Sequence, residues 1–445
     1  MPPFSEPAAR ALLDRVIGLT KADGCEADLQ ATRSGNVRFA RNAVSTSGVT
    51  DDATLSVRAR YGKKVGTALV NQFDDESLTR TVRRAEELAR LAPEDPEVLP
   101  ILGPQRYPAA PTAFVEATAA VTPDFRSSVA ATSIATAKEK GCVAAGFMVD
   151  AARWGATRNS RGLFGYYADT DTTYSITVRT ENGGGSGWGG QDMNDVRALD
   201  AAAAARLAAE KAVASRDLRA IEPGKYTVIL EPAASVDLLQ LLLLNNGARE
   251  ADEGRSFLTK AGGGTKLGQK LVDERVTLYS DAAHPDLPCR PWDDEGLPRV
   301  RTPWIEKGVV RNLRYTRYWS DKQKKPPVAS PGNWIMEGGQ GSLEDLIRST
   351  ERAVLVTRTW YIREVDPQTL LYTGLTRDGT FFVENGRIAY AIKNFRFNES
   401  PVIMLNNVDA LAKPVRVQGA ETVGRVLVPP MRLREFTFSS LSDAV

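Results

Sequence analysis

The sequence predicts an α+β fold in two domains: an α/β N-terminal domain of antiparallel strands with flanking helices, then a β-rich C-terminal domain with one buried core helix. Three observations carry this expectation. A chain of 445 residues exceeds what one hydrophobic core organises and suits two domains of roughly 200 residues. Helical and strand-like periodicities alternate as far as about residue 215, whereas from Thr277 onward short β segments and turn pairs dominate. Between them, Pro232 to Glu250 carries leucines over so much of its surface that a helix there must be buried.

The elements follow in order. Residues 5–23 have the spacing of an amphipathic helix; Glu26 to Ser34 and Val37 to Thr46 read as short strands around Ser34-Gly35-Asn36. Thr54 to Tyr61 and Val65 to Asn71 form a hairpin pattern about Gly62-Lys63-Lys64, and Asp74 to Leu91 is a helix that stops before Pro93. A proline-rich connector occupies about 92–111. A helix over about Pro123 to Lys140 precedes strands in Cys142 to Trp154, Arg161 to Ala168 and Thr172 to Thr180. The glycine-rich run Glu181 to Gly190 interrupts the pattern, and Asp195 to Ser215 is an alanine-rich helix. Arg219-Ala-Ile-Glu-Pro-Gly224 reads as a linker and divides the chain into 1–220 and 221–445. In the second part, turns are expected at Glu295-Gly296, Lys307-Gly308, Asp378-Gly379 and Asn385-Gly386, with a short helix at Ser342 to Ser349.

Composition narrows the chemistry. Lys and Arg number 57 against 55 Asp and Glu, a net charge of +2 that provides no electrostatic basis for binding nucleic acid. The three cysteines, Cys25, Cys142 and Cys289, are far apart and suit reduced buried thiols, hence the cytoplasm. The N-terminal segment mixes Arg10, Asp14 and Arg15 into its apolar residues, unlike a signal peptide. The longest apolar run, Leu238 to Leu244, is too short for a membrane span and is interrupted by Gln240. A single histidine, His284, lies in a proline-punctuated loop. A zinc motif with two histidines on one helix therefore cannot be written in this chain.

Four stretches bear on binding. Ala261 to Lys270 resembles a phosphate loop, but Gln269 stands where the lysine should follow the last glycine, so a mobile loop is the simpler reading. Asp293-Asp294-Glu295 offers adjacent carboxylates that a strand would send to opposite faces; a turn accounts for them better than a metal site. Trp188, within the glycine-rich run, is a candidate contact residue. In Val356 to Asp366, alternation places Thr357, Thr359, Tyr361 and Arg363 on one face and Arg358, Trp360 and Ile362 on the other. Arginines beside aromatics on a sheet suit an extended peptide, equally a solvated face. The candidate peptide-binding residues are thus Arg358, Trp360, Tyr361, Arg363, Arg377 and Trp188.

Several of these words together resemble the TldD/PmbA family. They are Phe39-Ala-Arg-Asn42, Gly62 to Asn71, the helix end Arg84 to Pro93, Glu222 to Pro232, Gly332-Asn333, Gly374 to Gly379 and Glu384-Asn-Gly386, in the family's order and over nearly the whole chain. The resemblance implies a cytoplasmic two-domain protein that pairs into a hollow dimer. It also implies that the helix after the Glu231-Pro232 strand is where the TldD type carries His-Glu-x-x-x-His for zinc. Here Asn245, Asn246 and Glu250 stand at those positions, and no cysteine follows Cys289. Asparagine amides replace neither imidazole as a zinc ligand nor a carboxylate as a base. The expectation is a TldE/PmbA-like subunit without metal, cofactor or activity of its own. It would hold extended peptide for a TldD-like zinc-bearing subunit and have no nucleic-acid or membrane partner. The alternative is a stand-alone homodimer that binds peptide and cleaves nothing.

Overall fold

The computed structural model describes residues 4–421 and 424–442. The first half runs α1 (Glu6–Leu19), β1 (Gly24–Ala40), β2 (Ala43–Tyr61), β3 (Lys64–Val70), α2 (Asp75–Leu91), α3 (Glu116–Ala119), α4 (Pro123–Glu139), β4 (Cys142–Asn159), β5 (Phe164–Thr180), β6 (Ser186–Met193) and α5 (Ala201–Ala214). The second runs β7 (Gly224–Leu230), α6 (Pro232–Leu244), α7 (Ala248–Asp252), β8 (Leu278–Ser280), β9 (Thr302–Glu306), β10 (Val309–Val310), α8 (Arg317–Gln323), β11 (Trp334–Met336) and α9 (Leu343–Arg348). It continues with β12 (Arg352–Asp366), β13 (Leu371–Glu384), β14 (Arg387–Ala391), β15 (Asn394–Glu399), α10 (Pro401–Asn406), β16 (Val408–Leu411), β17 (Val415–Val417), β18 (Val426–Val428) and β19 (Met431–Ser442). The fold is the expected mixture of helix and strand with a strand-rich C-terminal region. No helix among the described residues is long and apolar enough to cross a membrane.

One antiparallel sheet, in the order β3-β2-β1-β4-β5-β6, organises the first half. Its helices pack as two groups. Leu12, Leu13 and Val16 of α1 and Leu78, Val82 and Ala85 of α2 close one core, and the small residues of α4 and α5 close another. The strands are longer than expected. β1 runs unbroken through Gly35, which pairs on both sides and where glycine leaves room for Arg126, whose guanidinium makes a buried ion pair with Asp150. The turn falls instead at Arg41-Asn42, both left-handed (φ 52° and 59°), as a two-residue hairpin loop requires. Asn42 then anchors this turn, donating to the Cys142 carbonyl and accepting from the Ala144 N–H.

The glycine-rich run interrupts the strands only over 181–185, the turn between β5 and β6, and its second half, from Ser186, is strand. A Cβ at Gly185, Gly187 or Gly189 would stand 2.1–2.4 Å from the carbonyl oxygens of Ala212, Ala208 and Ala204. Alternate glycines, one just before β6 and two on it, thus meet an i, i+4 alanine row on α5, and helix backbone lies directly on strand. The alanine-rich helix begins at Ala201, with a single 3-10 turn before it.

In the second half, β12, β7, β19, β15 and β13 form a ring closed by the β12–β13 pairing, with β14 added to β13. A second sheet, β10-β9-β8-β11-β18-β17, shares its core. Between these, α6 packs against β12, β17 and β18, burying Leu238, Leu239, Leu242 and Leu243. The expected single helix over 232–250 is two helices, because α6 ends at Leu244 and α7 starts at Ala248. Lys307-Gly308 and Asn385-Gly386 are turns of positive φ, but Asp378-Gly379 is not a chain reversal and lies inside β13.

Candidate functional site

Two cavities of about 570 and 480 Å³ share Ala40, Ala145, Thr177 and Arg358 and together make one groove between the N-terminal sheet and the barrel. Each wall has a local reason for its residues. The end of β1 contributes Arg38, the β1–β2 turn contributes Arg41, and β6 contributes Trp188. From the barrel come Arg358 and Trp360 on β12 and Arg377 and Asp378 on β13.

The barrel wall is an electrostatic construction. Arg358 and Arg377 are directly opposed across the β12–β13 ladder, a like-charge pairing that is destabilising unless compensated. Asp378 compensates it. This carboxylate is 2% exposed, lies 3.2 Å from Arg358 and 3.9 Å from Arg377, and accepts a 2.7 Å hydrogen bond from the Ser186 hydroxyl of β6. Its backbone is left-handed (φ 56°), a conformation unusual for a non-glycine residue and one that breaks the regular alternation of β13. Arg358 also lies 5.4 Å from the Trp188 ring centre and 5.3 Å from that of Trp360, and Arg377 is 5.3 Å from Trp360. Burial lowers the Arg358 pKa while Asp378 raises it.

Of the six peptide-binding candidates, Trp188, Arg358, Trp360 and Arg377 meet in this groove. Tyr361 and Arg363 do not. The strand register shifts between Trp360 and Arg363, and Tyr361 is left-handed (φ 54°), so the expected alternation slips by one residue. Thr357 and Thr359 are buried, donating to Glu231 and to the Ala234 carbonyl, whereas Ile362, expected on the opposite face, is buried as well. The Tyr361 N–H and the Arg363 guanidinium both engage Glu421. They hold the 418–421 loop, whose Ala420 and Glu421 N–H groups also donate to buried Asp237 on α6.

Asn245, Asn246 and Glu250 occupy three different settings. Asn245 is exposed, donates to the Leu241 carbonyl and contacts Tyr372, whose hydroxyl burial pushes up to about 12. Asn246 is buried with its amide nitrogen unpartnered, and Glu250 folds back over Gly247, where a Cβ would lie 2.0 Å from its carboxylate. Two carboxamides and one carboxylate on either side of a helix break do not form the donor set of a zinc site. His284 lies in its loop with Nδ1 accepting from the Asp286 N–H. These three positions do not line the groove: α6 enters it at Ala233, so Asn245 is about 18 Å further along at 1.5 Å per residue.

The remaining stretches have structural settings. Asp293 accepts from the N–H groups of Glu295, Leu297 and Ser330 and so organises a turn. Gly262, Gly263, Gly264 and Gly268 all have positive φ and open space around them. Sequence reasoning missed Asp378, Arg38 and Arg41. The only signal for Asp378 was its place in Arg377-Asp378-Gly379, a triplet that equally describes a turn.

Comparisons with known proteins bear on this architecture. Residues 25–89, 119–216 and 223–440 match models of the PmbA/TldA metallopeptidase domain 1, central domain and C-terminal domain. The chain is 21% identical to the metalloprotease PmbA of Escherichia coli, over 96% of this chain and 95% of that protein. A metalloprotease of Methanothermobacter thermautotrophicus is 24% identical over 60% of this chain and 62% of its own length. In three dimensions the chain resembles TldE from Thermococcus kodakarensis (TM-score 0.86, 18% identity, 97% and 99% of the two chains). It also resembles a suggested modulator of a DNA gyrase from Thermotoga maritima (TM-score 0.85, 17% identity, 97% and 100%).

Proposed function

The chain belongs to the PmbA/TldD metallopeptidase family, and from that premise we propose that it is a TldE-like, non-catalytic subunit that holds unfolded or short peptide for a zinc-bearing TldD-like partner. The observation that carries the proposal is the break between α6 and α7. It leaves Asn245 exposed, Asn246 buried and Glu250 folded against Gly247 at the three positions where a zinc motif would have to converge. The groove supplies the other half of the reading. Trp188 and Trp360 present aromatic surface, Arg358 and Arg377 present donors, and an extended chain uses both. In this role the chain's own residues bind and orient peptide, and bond breaking is left to the partner.

A second reading, a homodimer that sequesters peptide without cleavage, draws on β2. Residues 43–52 are exposed on both faces and, among the described residues, pair only with β1, leaving one strand edge open to a second chain. The same edge would serve a heterologous partner.

The test is to purify the chain alone and together with a family member that carries His-Glu-x-x-x-His. Zinc content, co-elution and cleavage of an unfolded peptide are then measured. Cleavage only in the mixture, with co-elution, is the expected result. Cleavage by the zinc-free chain alone would overturn both readings, and peptide binding without co-elution would favour the homodimer.

A further inference from the structure

The charges lining the groove are one-sided although the whole chain is nearly neutral. Arg38, Arg41, Arg179, Arg358 and Arg377 line it, against the single carboxylate of Asp378. That carboxylate is already engaged by Ser186, Arg358 and Arg377. Arg38 and Arg41 are exposed and, among the described residues, make no ion pair. Within the barrel wall, two arginines that oppose each other across the ladder, Arg358 and Arg377, share that one carboxylate, so cations still outnumber it there.

The cations are spread rather than converged. Arg38, near the end of β1, lines the first cavity and Arg41, in the left-handed turn after it, lines the second, and Arg358 and Arg377 stand on the opposite, barrel wall. A single phosphate or a lone C-terminal carboxylate would satisfy one or two of them. A run of carboxylates along an extended chain would meet them in sequence. Tryptophan rings beside the guanidinium groups also provide apolar surface for whatever side chains lie between the acids.

We infer that the groove selects acidic segments of extended peptide, with Arg38 and Arg41 reading negative charge at its open wall and the Arg358–Trp360–Arg377 array reading it at the barrel wall. The inference rests on the proposal that this chain holds peptide and adds the substrate class. The groove is separate from the positions of the zinc motif, so the selection acts on binding and needs no reaction at this chain.

Three fluorescently labelled, unstructured peptides of one length and one aromatic content test it: one rich in Asp and Glu, one neutral, one rich in Lys. A single-stranded oligonucleotide of similar charge to the acidic peptide is a fourth probe. Anisotropy titrations use the full chain. The acidic peptide is expected to bind roughly tenfold or more tighter than the neutral one, and the gap is expected to shrink as salt rises from 50 to 300 mM, as for any charge-driven preference. The double variant Arg38→Gln/Arg41→Gln alters only exposed side chains and is expected to lose most of the preference. Equal binding of acidic and neutral peptides would overturn the inference and leave the peptide-holding role standing. Failure of every peptide to bind would overturn both, and tighter binding of the oligonucleotide would replace an acidic peptide with nucleic acid as the occupant.

Discussion

Asp378 shows how much of the groove depends on one side chain. It is buried, left-handed, and the acceptor for a hydroxyl from β6 and a guanidinium from β12. Removing a buried ion's partner leaves the other charge uncompensated, which typically costs 3–5 kcal/mol. Asp378→Ala is therefore expected to lose about 3 kcal/mol in a urea titration. Asp378→Asn, which tolerates the left-handed backbone and keeps an acceptor, should lose less. A smaller loss for Ala than for Asn would contradict this account. At this scale the sequence was only partly legible. Arg358, Trp360, Arg377 and Trp188 were identifiable as arginines and aromatics in strand-like text, whereas Asp378 read as half of a turn pair. Tyr361 and Arg363 shared the right pattern and the wrong destination, since one left-handed residue at Tyr361 turns them toward Glu421.

Among the elements, β6 and α5 are the clearest case of sequence dictating packing. Glycines alternate on the strand and alanines recur every four residues on the helix, so the two backbones approach closely. Gly187→Ala would place a methyl 2.1 Å from the Ala208 carbonyl oxygen. Overpacking of this kind costs about 1–3 kcal/mol, and a lowered thermal midpoint is expected. An unchanged midpoint would mean that α5 moves away from β6 at little cost. The same strand carries Trp188, so α5 packing bears directly on the groove. Glycine content alone suggested a break, because a run of glycines is as typical of loops as of close backbone contact. The α6–α7 break was hidden for the opposite reason: leucine periodicity continues up to it, and Asn246-Gly247 gives only a weak stop signal.

At the scale of the molecule, ion pairs clamp the two halves around the groove. Lys211 of α5 pairs with Glu231 at the head of α6 (2.6 Å), Arg425 pairs with Asp169, and Arg416 pairs with Asp192 (2.7 Å). The Arg416 and Asp192 side chains are 9% and 8% exposed, so the pair is largely desolvated. Arg416→Ala is expected to lose about 3 kcal/mol by leaving Asp192 buried and unpaired. Denaturant unfolding checks this, and a loss below about 1 kcal/mol, the range of an exposed pair, would show that water reaches Asp192. By itself the sequence determined the mixture of helix and strand, the family resemblance carried by words spread along the chain, and the single histidine that forbids a two-histidine motif. These are properties of composition, short-range periodicity and order along the chain. Tertiary structure decided that Trp188 meets Arg358, Trp360 and Arg377, that Arg38 and Arg41 face them, and that Tyr361 and Arg363 do not join. Those contacts form between residues that local spacing does not relate, and they depend on bulges, left-handed residues and inter-domain packing set by the whole fold.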